Sequence, residues 1–135
     1  MFVRTLLAHR FGGEFSTVKG YSYLFENENT LVYFQNYNKS DPVLWYRIHK
    51  QPRSMLRSTE KTAWLVFTNP SERMAFVLPV SAVERAARTS GWKRDYFEVH
   101  IDTRDNRWSE LDWNLGKYRQ IVRRVDSEVP VRSIT

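Results

Sequence analysis

Residues 63–91, AWLVFTNPSERMAFVLPVSAVERAARTSG, decide how this chain folds. Ala63, Trp64, Leu65, Val66 and Phe67 form an apolar run too short for a helix and rich in β-formers, closed by the turn residues Thr68, Asn69, Pro70 and Ser71. A second apolar run, Met74 to Val80, answers it across that turn. Pro79 falls near the end of this strand, where a missing backbone donor costs little. Ser81 and Glu84 have the S-x-x-E spacing of a capping box, which predicts a helix opening there and closing at Gly91. Two uninterrupted apolar strands imply a sheet covered on both faces.

Working outward, residues 2, 3, 6 and 7 are apolar at helical spacing, and Gly12 and Gly13 end the segment. Phe15 to Val18 reads as a short strand. Tyr21 to Phe25 and Thr30 to Phe34 read as a hairpin about Glu26, Asn27, Glu28 and Asn29. Polar residues from Gln35 to Pro42 take the chain out of that sheet. Val43 to Ile48 is expected to be a further strand or extended edge, and Pro52 to start a helix over residues 52–58. Tyr96 to Asp102 alternates polar and apolar residues, as a half-buried strand does. Gly116 interrupts the aromatic segment Trp108, Leu111, Trp113, Leu115 and Tyr118. A final helix is predicted over residues 117–124, and the last ten residues, with Pro130, are expected to fray. The sum is one α/β (α+β) domain over residues 1–135, with a central mixed sheet of about five to six strands and helices packed on it.

Composition narrows the chemistry. The chain has no cysteine, which removes disulfides, thiolate metal sites and cysteine nucleophiles together. The first ten residues are too short and too charged for a signal peptide or a membrane span, so a soluble cytoplasmic protein without a membrane partner is expected. The formal net charge of +6 is unevenly spread. Residues 1–38 and 62–103 balance, whereas residues 39–61 carry six basic against two acidic side chains and residues 104–135 seven against five.

Within the excess, Lys50, Arg53, Arg57 and Lys61 are spaced 3, 4 and 4. On a helix extended a turn each way, all four would project from one face, with Met55 and Leu56 pointing elsewhere. Such a row repels itself, and Glu60 is the only acid close by, so a polyanion is the natural partner. Trp45 and Tyr37 flank the row with Tyr46, and Asn36 and Asn38 stand beside Tyr37 with amides suited to bases or phosphates. Taken singly, each aromatic is more readily placed in the core or at its rim, Trp45 in the core and Tyr46 at the rim, than as a stacking platform. Lys117, Arg119, Arg123 and Arg124 form a secondary basic patch, with Arg119 and Arg123 on one face of the predicted final helix.

Candidates for catalysis are sparse. Glu98, His100 and Asp102 alternate on the predicted strand and share a face, a row able in principle to hold a divalent cation or to exchange protons. No phosphate-loop or hydrolase motif accompanies the glycines or serines.

The order of elements, with GYSYLFENENTLVYFQNYNKSD over residues 20–41 and LVFTNPSERMAFVLPVSAVERA over residues 65–86, resembles the PD-(D/E)XK nuclease-like superfamily across roughly residues 1–90. The resemblance implies a helix, a metal-binding hairpin, and a closing strand pair with a helix. Its catalytic positions are not kept: Ser22 stands for the Asp, Gln35 for the Glu and Tyr37 for the Lys. A hydroxyl and an amide hold magnesium poorly. The resemblance therefore implies a platform without chemistry, and the hairpin pattern fits a PUA-like or other small β-rich nucleic-acid module as well.

The reading is a non-catalytic nucleic-acid-binding domain, for DNA first, needing no cofactor or metal. Two alternatives stand beside it. One is a metal-dependent nuclease built on other acids, among them Glu26, Glu28 and Asp41 or the Glu98, His100, Asp102 row. The other is a protein-interaction or assembly module, such as a homo-oligomer, whose interface is the aromatic segment 108–118.

Overall fold

A computed structural model of the protein describes residues 2–121. In chain order the elements are α1 (Phe2–Phe11), β1 (Ser16–Thr17), β2 (Leu24–Glu26), β3 (Thr30–Asn36), β4 (Val43–His49), α2 (Lys50–Ser58), β5 (Thr62–Asn69), β6 (Met74–Pro79), α3 (Ser81–Ser90), β7 (Tyr96–Asp102), β8 (Arg107–Trp108), β9 (Trp113–Asn114) and β10 (Arg119–Ile121). The class is mixed α+β, as expected.

The quoted stretch folds as read, with two local differences. β5 and β6 pair antiparallel from Trp64↔Pro79 to Asn69↔Met74. Asn69 makes the turn between them: its side chain accepts from the Glu72 amide at 3.0 Å, Pro70 opens a 3-10 turn, and Arg73 closes it in the left-handed region at φ 54°. The capping box does not form. Val80 occupies the N-cap position and Ser81 already lies inside α3, so Glu84 stands one residue too late in the helix for a box and pairs with Arg57 instead. Gly91 ends the helix as predicted, at φ 81°, its amide donating to the Ala87 carbonyl.

Among the described residues, ten strands make two sheets. The larger has the order β1-β2-β3-β5-β6-β10, antiparallel except for the parallel pair β3 and β5. The smaller has the order β4-β7-β8-β9 and is antiparallel throughout. A parallel pair needs a crossover, and here the crossover is β4 with α2. The chain leaves the larger sheet after Asn36, lays down the edge strand of the smaller one, and returns through α2 to β5. This places the end of β3 beside β4.

Period-two alternation divides the larger sheet between two cores. Val32, Phe34, Val66 and Val77 face Leu7 of α1, with Phe15 and Phe25. Leu31, Tyr33, Leu65, Phe67, Phe76 and Leu78 face the smaller sheet and meet Leu44, Tyr46, Ile48, Phe97, Val99 and Ile101, with Ala82, Val83 and Ala86 of α3 at the border. Both faces are covered, as the uninterrupted apolar strands required.

The aromatic segment 108–118 is used as core. Trp108 is fully buried, Trp113 stacks on it with ring centroids 6.1 Å apart, Tyr118 meets Trp113 edge-on, and the Arg85 guanidinium lies 4.1 Å over Trp113. The assembly interface expected of these rings is not supported by this packing. The predicted final helix is replaced, within the described residues, by a 3-10 turn over Gly116–Tyr118 and by β10. β10 pairs with the edge of β6, Arg119↔Phe76 to Ile121↔Met74, where an open strand edge outweighs local helix propensity. The rest of that prediction, Arg123 and Arg124 included, and the expected fraying lie outside the described residues.

Candidate nucleic-acid interface

The outer face of the smaller sheet follows from the alternation of β4. Leu44, Tyr46 and Ile48 are buried, so Val43, Trp45, Arg47 and His49 point away from the core. β7 alternates in the same way and places Tyr96, Glu98, His100 and Asp102 on that outer face. Cross-strand register then fixes the pairs Trp45↔His100, Arg47↔Glu98 and His49↔Tyr96. Trp45 meets His100 edge-on at 4.7 Å yet keeps 59% of its surface exposed. Arg47 lies 4.2 Å over Tyr96 and 3.9 Å from the Glu98 carboxylate. Tyr23, 38% exposed, stacks on His49 with centroids 5.0 Å apart and planes 7° from parallel.

β4 is an edge strand, and side chains from β3 cover part of its open edge. Tyr33 donates to the Arg47 carbonyl at 2.7 Å and accepts from the His49 amide at 3.1 Å, while Gln35 Oε1 accepts from the Arg47 amide at 2.7 Å. Gln35 Nε2 donates back to the Tyr33 hydroxyl, closing the network. Burial pushes the Tyr33 phenol far up, so it serves as a neutral clamp. Tyr46 adds a second tie, donating to the Thr68 carbonyl.

A groove runs along this seam. Its first hollow is bounded by Tyr23, Asn36, Trp45, Arg47, His49 and Glu98. Tyr23 and His49 also line a second, with Lys50, Gln51 and Asp95. Lys50 and Gln51 border a third, with Arg53, Ser54, Arg57 and Trp92. The groove thus passes from Trp45, over the stacked Tyr23 and His49, to Trp92, on which the Arg57 guanidinium lies at 3.8 Å.

The four cations of the sequence row do not stand on one outward face. Lys50 is exposed and in the groove. Arg53 is 2% exposed on the inward side of α2, together with Pro52 and Leu56. Arg57 is exposed, 3.5 Å from Glu84. Lys61 lies beyond the end of α2, its ammonium 2.8 Å from Glu26 and 2.7 Å from the Asn27 carbonyl. The spacing does select one helix face, but amphipathic packing turns part of that face inward, and α2 ends at Ser58 before Lys61 can join it.

Of the flanking residues, Trp45 and Asn36 line the groove. Asn36 Oδ1 also accepts from the Thr68 hydroxyl at 2.6 Å. Tyr37 packs edge-on against Tyr46 and donates to Asp41 at 2.6 Å, outside the groove. Among the secondary patch, Lys117 lies 5.2 Å over Tyr118 and Arg119 donates to Asn106 at 2.9 Å, both away from the groove's lining.

Glu98, His100 and Asp102 of β7 do share a face, but each has a separate partner. Glu98 faces Arg47, His100 Nδ1 meets the Glu110 carboxylate, and Asp102 is gripped by Arg104 at 2.6 Å and 2.9 Å. The Arg104 hydrogen bonds hold the Asp102 carboxyl down at about 2. Glu26 is taken by Lys61 and Asp41 by Tyr37. Among the described residues no group of three or more His, Asp or Glu side chains is placed to hold a metal ion. Gln35 spends both ends of its amide on the β4 clamp, so the position that resembled a metal ligand has a structural use.

Sequence reading missed Tyr23, Arg47, His49, Tyr96 and Trp92. The signal for Arg47 and His49 was the strict alternation of Leu44, Tyr46 and Ile48, once Tyr46 is counted as an inward residue, and that for Tyr96 was the alternation of Phe97, Val99 and Ile101, whereas Tyr23, which precedes β2, had none. Trp92 had no signal, because only α2 brings Arg57 above it. Among the described residues no helix is long and apolar enough to cross a membrane. No family model matches the chain, and neither curated proteins nor solved structures give a match.

Proposed function

We propose that this protein is a non-catalytic nucleic-acid-binding domain and that a single strand lies along the groove from Trp45 to Trp92. The observation that carries this reading is Trp45: a large indole left 59% exposed on an ordered sheet face, in a groove that also holds Tyr23, His49 and three exposed cations. Aromatic faces receive bases of any sequence, each stack contributing about 1–3 kcal/mol, while cations between them track the phosphates. Arg47, Lys50 and Arg57 are placed for that second role.

The charge around the groove sets the character of binding. Arg47 faces Glu98, Arg57 faces Glu84, and Asp95 borders the second hollow. Stacking therefore carries more of the affinity than counterion release. With three phosphate contacts, log Kd should change with log salt by a slope of about 2, at roughly 0.7 per contact on a single strand.

The test is titration of a labelled single strand and a duplex of the same sequence at several salt concentrations. Single-strand binding should exceed duplex binding. Trp45→Ala should weaken it by ten-fold or more, by about 1.4 kcal/mol or beyond. Arg57→Ala should lower the salt slope by about 0.7. Binding that ignores Trp45→Ala, or that shows no salt dependence, overturns the proposal.

A further inference from the structure

Arg53 is the anomaly of the groove. It is 2% exposed, and its guanidinium lies 4.1 Å over the Phe97 ring. Its Nη2 donates to the Arg94 carbonyl, while Nε and Nη1 have no hydrogen-bond partner among the described residues. Arginine cannot escape by losing its proton, so burial leaves a full charge with donors unmet. Phe97 offers a π face and no acceptor. Asp95 is felt electrostatically but makes no hydrogen bond to the guanidinium.

Arg53 also lines the third hollow, which it shares with Lys50, Gln51 and Arg57, all long and exposed, and with Trp92. Three cations therefore converge on one hollow whose buried member has donors to spare.

We infer that this hollow is a phosphoryl-binding socket in which Arg53 is the inner donor and Lys50 and Arg57 close over the anion. The socket deepens the nucleic-acid reading by giving the groove a fixed phosphate at its Trp92 end, and it rests on that reading only for the source of the phosphate. Nε and Nη1 are shut off from solvent in the free protein, so a tetrahedral oxyanion engages them once the guanidinium turns toward the hollow, where its several oxygens can take the outer cations as well. Arg57 can exchange its 3.5 Å contact with Glu84 for the anion without leaving Trp92. The source is either a terminal phosphate or a phosphodiester within the strand.

The probe is inorganic phosphate added to the whole chain, with chloride at equal ionic strength as control, read by the Arg53 Nε–H resonance and by thermal unfolding. A saturable shift of that resonance, with a rise in melting temperature absent in chloride, is expected. Both should disappear in Arg53→Met and weaken several-fold in Arg57→Ala. Arg53→Lys, which keeps charge but not the planar fork, should bind at least ten-fold more weakly. No saturable shift, or an equal response in Arg53→Met, overturns the socket.

A 5′-phosphorylated and an unphosphorylated oligonucleotide then separate the sources. A phosphorylation-dependent gain lost in Arg53→Met assigns a terminal phosphate. Equal affinities that both fall in Arg53→Met assign the backbone, and affinities indifferent to Arg53→Met overturn the link to nucleic acid. Should phosphate bind at Arg53 while no oligonucleotide binds, the socket stands and the groove reading falls.

Discussion

Arg53 and His49 show how much the burial of a single charged or titratable side chain can cost. Burying the Arg53 charge costs several kcal/mol, against about 2 from the Phe97 contact and about 1.5–3 from the bond to the Arg94 carbonyl. Arg53→Met keeps the length of the side chain and removes the charge. It is expected to raise stability by about 1 kcal/mol in the absence of anion, seen as a higher urea midpoint at unchanged slope. A fall in the midpoint would mean that the guanidinium is stabilised without a ligand. His49 is held below its ordinary value of 6.5, first by burial and then by Arg47 and Arg53. Its folded form therefore prefers the neutral ring. Stability should be full above pH 6.5 and fall as pH drops from there through the lowered folded value, because the unfolded chain takes up the proton first. The loss should vanish in His49→Gln, measured by urea unfolding at pH 8 and pH 5.

At the scale of elements, β4 decides whether the groove exists. Its outward row of Trp45, Arg47 and His49 is aimed only while the strand keeps its register with β7. The Tyr33 hydroxyl, serving Arg47, His49 and Gln35 at once, ties that strand to β3. Tyr33→Phe keeps the ring in the core and strips those bonds. It should cost about 1–3 kcal/mol of stability and speed hydrogen exchange at the His49 amide above the rest of β4. Exchange accelerating equally along β4 and β7 would instead mean that the whole sheet loosened. α2 makes the complementary point. Its cations were visible as a row in sequence, but which side of a nine-residue helix faces inward depends on the surfaces against it, here Phe97 and the main core.

For the whole molecule, two sheets with a shared core bring distant segments into one groove: Tyr23 from before β2, Trp45 to His49 from β4, Arg57 from α2 and Trp92 from the loop before β7. The same core absorbs the aromatic segment that composition alone left open as an interface. Trp108→Ala should therefore cost about 3–5 kcal/mol by emptying a packed site, and the loss should not depend on protein concentration. A concentration-dependent loss would restore the interface reading.

What the sequence by itself determined are the elements whose signals are local. The apolar runs of β5 and β6, the turn at Asn69, the close of α3 at Gly91, the half-buried alternation of β7 and the hairpin of β2 and β3 rest on residue spacing and turn chemistry within a few positions. Tertiary structure alone decided which face of α2 turned inward, that residues 119–121 joined a sheet edge, that the acids of β7 met separate cations, and that Arg57 lies on Trp92. Periodicity places side chains on a face of their own element. Only packing against other elements says whether that face meets water, an opposite charge or the core.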